Sequence, residues 1–175
     1  MDRQRHYLKA IHFILVLLLC VTRAWSAGVH LNSFEKNGLY GFKDATGVVV
    51  IPARYQHVEE FTSCGIAPVW NPSGWVFVDT QGATLEGITP YVFDSGADYF
   101  KEGLARFQNR RKIGYIDSCG HIRIPAQFDG AFPFSKGRAD VCQGCISRPD
   151  GEHSSWQGGR WATIDVQGKV VVPFH

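Results

Sequence analysis

Four times along this 175-residue chain an aspartate is followed three residues later by a glycine, with apolar residues on either side. The segments are Gly41-Phe42-Lys43-Asp44-Ala45-Thr46-Gly47, Val76-Phe77-Val78-Asp79-Thr80-Gln81-Gly82, Gly114-Tyr115-Ile116-Asp117-Ser118-Cys119-Gly120 and Ala162-Thr163-Ile164-Asp165-Val166-Gln167-Gly168. Asp-x-x-Gly suits a type I turn in which the carboxylate accepts a backbone N–H two residues on. Glycine at the fourth place takes the positive φ of the three-residue hairpin loop that follows such a turn. Asp44, Gly47, Asp79, Gly82, Asp117, Gly120, Asp165 and Gly168 are therefore read as structural turn residues.

The landmarks continue in step. A proline follows each turn (Pro52, Pro90, Pro125, Pro173), then in three copies an aromatic (Tyr55, Phe93, Phe128), a second phenylalanine (Phe61, Phe100, Phe134), a glycine (Gly65, Gly103, Gly137) and an alanine (Ala67, Ala105, Ala139). The steps from Asp to Asp are 35, 38 and 48 residues, so the last one holds an insertion. Self-similarity at this period marks a repeat array in which each unit buries its apolar side against its neighbours. The flanks predict strands over Leu39–Phe42 and Val48–Ile51, with the proline ending the second strand because it cannot donate to a ladder. A third strand is predicted after each later glycine, over Ile66–Trp70, Leu104–Phe107 and Arg138–Val141. The intervening aromatics are expected to plug the core between copies. The fold class predicted is all-β: tandem antiparallel hairpin or three-stranded repeats packed as one domain over residues 27–175. The copies run approximately 36–70, 71–108, 109–146 and 159–175, with an inserted loop at 143–159.

This outline, from Gly-aromatic-x-Asp-x-x-Gly through apolar-Pro to Phe-x-x-Gly-x-Ala, resembles the WG-repeat (or KWG-repeat) family over roughly residues 35–175. Tyr40-Gly41 and Ile113-Gly114 stand where the family has Trp-Gly, while Trp75 and Trp161 are followed by Val76 and Ala162 rather than glycine. The resemblance implies a β-rich interaction or scaffold module and brings no catalytic residues with it.

The first residues have the three parts of an export signal: basic Arg3, Arg5 and Lys9, an apolar run from Ile11 to Val21, and small residues around a cleavage point after Ser26. The run is shorter than the roughly 17–25 residues that span a bilayer, and Leu19 is too bulky for a lipid-attachment motif at Cys20. The expectation is a signal peptide over 1–26, a secreted or periplasmic mature chain, and no stable membrane span after cleavage. Cleavage removes four of the 18 basic residues and one of the 16 acidic ones, leaving 14 against 15. That balance is unlike the footprint of a nucleic-acid binder, and no nucleic-acid partner is expected.

Four cysteines remain: Cys64, Cys119, Cys142 and Cys145. An even count in an exported chain points to disulfides. Cys142 and Cys145 are close enough to bridge locally, which pairs Cys64 with Cys119; the other two pairings remain open at this stage. A Cys-x-x-Cys redox centre is the competing reading, but such centres sit at helix N-termini, and this one follows a predicted strand and enters Arg148-Pro149-Asp150-Gly151, read as loop. Zinc held by Cys142, Cys145 and His153 would need a fourth ligand and a second pair, so no metal or other cofactor is expected. The turn aspartates are too far apart in sequence for a calcium array.

No nucleophile elbow, zinc-protease motif or phosphate-binding glycine loop is present, and no catalytic residue is assigned. The inserted loop, polar and rich in glycine, is the candidate binding element, with Glu152, His153 and Trp156 as candidate contacts. Trp70, Trp75 and Trp161 lie on predicted strands and are read as core or half-buried. Arg110-Arg111-Lys112 is read as a solvated turn. The function expected is binding or scaffolding without catalysis, with a protein or peptide partner. The alternatives are a glycan or cell-wall ligand held by exposed tryptophan, or a redox role for the Cys-x-x-Cys pair.

Overall fold

The computed structural model describes residues 30–93, 96–151 and 153–175, and only the backbone of His153. The expected signal peptide, Glu152 and the His153 side chain lie outside the described residues. Among the described residues the chain is all-β and has no helix. Its strands are β1 (Asn32–Lys36), β2 (Leu39–Lys43), β3 (Val49–Tyr55), β4 (His57–Val58), β5 (Ile66–Asn71), β6 (Gly74–Asp79), β7 (Thr89–Pro90), β8 (Val92–Phe93) and β9 (Gly96–Ala97). They continue with β10 (Leu104–Asn109), β11 (Lys112–Asp117), β12 (Ile122–Phe128), β13 (Gly130–Ala131), β14 (Arg138–Gln143), β15 (Ile146–Asp150), β16 (His153–Gln157), β17 (Arg160–Asp165) and β18 (Val170–Val172). Four sheets follow one another, β1-β2-β3, β4-β5-β6, β7-β10-β11-β12 and β13-β14-β17-β18, with small ribbons β8-β9 and β15-β16.

All four turns have one geometry. The glycine N–H donates to the aspartate carbonyl (Gly47 to Asp44, Gly82 to Asp79, Gly120 to Asp117, Gly168 to Asp165) at 2.8–3.0 Å. In each, the aspartate Oδ1 accepts the N–H two and four residues on: Thr46 and Val48, Gln81 and Ala83, Cys119 and His121, Gln167 and Lys169. The four glycines have φ between 78° and 90°, a region costly for any residue with a Cβ.

The sheets do not coincide with the copies. Each later sheet joins the third strand of one copy to the first strand of the next, as β5 to β6, β10 to β11 and β14 to β17. The second strand then crosses between sheets. β3 pairs with β2 as far as Tyr55, bends at Gln56 and continues as β4 on the edge of β5. β12 and β13 repeat this on β11 and β14. The strand that opens the first sheet, β1, fills the place that the preceding copy's third strand fills elsewhere, and it begins four residues before the expected start of the first copy at residue 36.

In the first and third copies the proline does not end the second strand, contrary to expectation, whereas β7 ends at Pro90 and β18 stops just before Pro173. β3 and β12 run through Pro52 and Pro125. Between the pairs Phe42↔Ile51 and Tyr40↔Tyr55 the second strand holds two more residues than its partner, and Tyr115↔Ile124 and Ile113↔Phe128 show the same excess. This bulge takes each proline out of the ladder, so its missing N–H leaves no pair unmade. Gly41 and Gly114 face the bulge, where an added Cβ would run into backbone.

The second copy departs from this plan. Its second strand touches β6 only near Thr84 and Leu85, then leaves to place Pro90 on the edge of β10. The expected core plug therefore fails there: Phe93 is exposed, whereas Tyr55 and Phe128 are buried.

The core is a series of interfaces between successive sheets. Phe42, Ile51, Val69 and Val78 join the first sheet to the second. Ile66, Phe77, Phe107 and Ile116 join the second to the third. Tyr115, Ile124, Val141 and Ile164 join the third to the fourth. Each such apolar side chain contributes about 1.5–3 kcal/mol on burial, and neighbours supply nearly all of it, as in other stacked repeats.

Candidate functional site

The segment expected as an inserted loop at 143–159 is instead a two-stranded ribbon. β15 and β16 pair antiparallel from Ile146↔Gln157 to Asp150↔His153, so Arg148-Pro149-Asp150 is strand. Pro149 is tolerated because a two-stranded ribbon is all edge. Sequence reading missed it because its residues are polar on both faces, without the alternation that marks a strand lying on a core.

The base of the ribbon is heavily fixed. Cys142 and Cys145 are bridged, as are Cys64 and Cys119. Gly158 and Gly159, both at positive φ, turn the chain from β16 into β17. Gly159 packs so close to Cys145 that a Cβ would meet its backbone N. Gly130 on β13 is covered by the Trp156 indole and both sulfurs of the local disulfide, all within 2.9 Å of where a Cβ would stand. Asp129 accepts the Gly144 N–H at 2.8 Å and pairs with Lys112. The Lys112 ammonium, then the Gly144 N–H, hold the Asp129 carboxyl below its ordinary value. Lys112 is thus tied down, while Arg110 and Arg111 form the exposed turn expected of that cluster, both at positive φ.

Trp156 is half-buried against the core between the third and fourth sheets, so its ring braces the ribbon. The faces left to solvent belong to β15, exposed along its whole length, and to Ser154 and Gln157 on β16. The backbone of His153 lies at the tip, at the start of β16.

The turn aspartates each sit in a separate turn, with Oδ1 already accepting two N–H groups. Asp117, Cys119 and His121 bring ligand-type atoms within 4.8 Å of one another, but the Cys119 sulfur is bonded to Cys64 and offers no thiolate.

Of the three strand tryptophans, Trp75 is buried and Trp161 half-buried, but Trp70 is exposed, contrary to expectation. Trp70 and Trp75 are cross-strand partners packed edge to face at 5.7 Å, and Trp75 likewise meets His57 at 5.5 Å. β4 covers only the edge of β5, which leaves the Trp70 ring to solvent.

A further feature the sequence reading missed is the buried pair Arg106 and Asp98. Arg106 Nε and Nη2 each donate to Asp98 at 2.8 Å, Nη1 donates to the Ala131 carbonyl, and the Arg106 N–H reaches the same carboxylate. Tyr91 lies 4.3 Å from the guanidinium carbon. The pair stands where the second copy leaves its own sheet. The available signal was an arginine between Ala105 and Phe107 in an otherwise apolar strand.

A family model described as a WG-containing repeat matches residues 40–69 and 113–144. The chain carries WG repeats. The matched stretches span β2 to β5 and β11 to β14, the two WG copies with a bulged second strand that crosses between sheets. The second copy, whose middle strand leaves its sheet, and the short fourth copy lie outside the match. No curated protein and no solved structure matches the chain.

Proposed function

We propose that this WG-repeat chain is an exported binding module, without catalysis of its own, that engages a protein or peptide through the β15–β16 ribbon. The observation that carries this reading is the contrast within the ribbon: β15 is exposed throughout, while its base is fixed by a disulfide, by Trp156 on Gly130 and by Asp129. A prefixed element loses little conformational freedom on binding. Its surface offers hydrogen-bonding groups on Ser147, Arg148, Asp150 and Ser154 beside one exposed apolar side chain, Ile146. Export is supported by the leader pattern and by two disulfides, which persist in oxidising compartments. Burial of Cys142 and Cys145, whose sulfurs pack with the Trp156 indole around Gly130, weighs against thiol exchange there.

The test is crosslinking capture from the exported fraction with the intact chain and with one lacking residues 147–158. A stoichiometric partner held by the first and lost from the second supports the reading. A partner retained by the shortened chain moves binding to the sheets.

A second reading rests on Trp70. An exposed indole braced edge to face by Trp75 is a suitable platform for a sugar ring. Pelleting with purified cell wall, and a change in tryptophan fluorescence on sugar titration that Trp70→Ala removes, would favour a glycan over a polypeptide.

A further inference from the structure

We infer that the outer edge of β1 is a docking site for an extended peptide strand, which pairs antiparallel to β1 with a Val-, Ala- or Pro-sized residue opposite Phe34. This rests on the reading that the module binds polypeptide, but at a surface separate from the ribbon.

The register identifies the edge. The residue paired with the position four before the turn aspartate is Glu35 in β1, Trp70 in β5, Gln108 in β10 and Cys142 in β14. The residue paired two before that aspartate is Ser33, Pro68, Arg106 and Asp140 in the same order. In the three later sheets these positions face outward and a short extended segment covers them. Gln56 and Glu59 N–H donate to the carbonyls of Trp70 and Pro68, Tyr91 N–H to Arg106, and Asp129 and Phe132 N–H to Cys142 and Asp140, at 2.9–3.2 Å. Opposite the residue between them stand Val58, Pro90 and Ala131.

On β1 no described residue fills this role. Ser33 and Glu35 are exposed, and their outward N–H and C=O groups have no backbone partner among the described residues. Phe34 registers the difference: its equivalents Val69, Phe107 and Val141 are at most 1% exposed, whereas Phe34 is only half-buried. A groove of about 620 Å³ opens at the start of the same strand, between Leu31 and Ser33 on one side and Phe61 and Thr62 on the other, leaving room for flanking side chains. An open strand edge binds extended peptides through main-chain hydrogen bonds, with pockets for alternate side chains setting specificity. The molecule's own connectors show what fits: three times it closes this edge with a short, antiparallel extended segment.

The test uses the intact chain, both disulfides formed, and a synthetic peptide with the sequence of residues 52–60. Hydrogen exchange at the Glu35 amide is expected to slow about tenfold when about nine-tenths of the chain is bound. Exchange in β18 should stay unchanged. N-methylation of the peptide at the Gln56 and Glu59 positions, which supply the donors on either side of β4, should abolish the effect, and N-methylation at Ala53 should not. The chain lacking residues 147–158 should give the same protection, so loss of a ribbon partner and failure of this site are separable results. The proposal is overturned by unchanged exchange in β1 up to the solubility limit of the peptide, by equal protection from the doubly methylated peptide, or by protection of Val170–Val172 in place of β1.

Discussion

Gly120 lies against Leu85 of the preceding copy so closely that a Cβ built on it would stand 2.8 Å from Leu85 Cδ2. Gly168 meets Ile124 in the same way, and Gly82 meets Ile51 and Arg54, whereas a Cβ on Gly47 would have nothing within 4 Å. Three of the turn glycines thus serve both the turn and the stacking of copies, and Gly47 serves the turn alone. Gly47→Ala should cost about 1 kcal/mol from positive φ. Gly120→Ala should cost about 1–3 kcal/mol more through overpacking. Urea unfolding of the two variants checks the difference; equal costs would remove the second role.

Stability should fall in acid, and the carboxylates named here should carry part of the loss. The Thr46 hydroxyl and nearby backbone N–H groups hold Asp44 below the ordinary 3.8. Burial pushes Asp117 up, but the His121 and Cys119 N–H groups outweigh it and leave it lowered. Asp129 is lowered mainly by Lys112. A group whose folded pKa is depressed contributes stability above its unfolded pKa and loses it as pH falls through the folded one. The midpoint of urea unfolding should therefore drop as the pH is lowered from about 4. Asp117→Asn should lower stability at neutral pH and make that acid limb shallower.

The two disulfides should open in a fixed order. Cys64 is exposed and Cys119 half-buried, while Cys142 and Cys145 lie at 0% and 5% exposure. Thiol exchange requires access to a sulfur, so mild reductant followed by alkylation and mass spectrometry should label Cys64 and Cys119 first. Simultaneous labelling of all four would contradict the packing of Trp156.

Trp156→Ala should act locally. Removing the indole opens space beside Gly130, where both sulfurs also pack, so exchange at residues 146–157 should rise and Cys142–Cys145 should become reducible under mild conditions. Exchange in β5, β6 and β10 should hold. A global fall in protection would mean that the ribbon helps hold the array itself.

Asp98→Ala leaves the Arg106 guanidinium buried with the Ala131 carbonyl as its one hydrogen-bond acceptor among the described residues. Loss of one member of a buried pair costs about 3–5 kcal/mol. The double variant Asp98→Leu with Arg106→Met should recover much of that loss, since buried ion pairs exchange for apolar residues at little net cost. Thermal unfolding of both variants is the measurement.

The turns were legible because Asp-x-x-Gly settles its conformation within five residues, and all four copies obey it. The third strands were legible for a related reason, since apolar residues following a glycine signal them locally. The pairing of Cys142 with Cys145 likewise followed from proximity in sequence. Most of what escaped depended on partners distant in the chain. Pro52 and Pro125 remain within strands because the opposing strand runs two residues short, which no local pattern reveals. Phe93 is exposed because its copy has left its own sheet, although its spacing matches Tyr55 and Phe128. Among the described residues the ribbon pairs only with itself, so neither Ser147 nor Trp156 advertises a strand. Trp70 is exposed because only the edge of its strand is covered, and a tryptophan in a strand otherwise reads as core.

The crossing of β3 into β4 and of β12 into β13 has a consequence for how such a chain can grow. Since every crossing strand belongs to two sheets, a duplicated stretch of one full period restores both the sheet it leaves and the sheet it enters, wherever the duplication begins. Copies can then be gained without a dedicated joining sequence, in the way that overlapped tiles extend a roof without mortar.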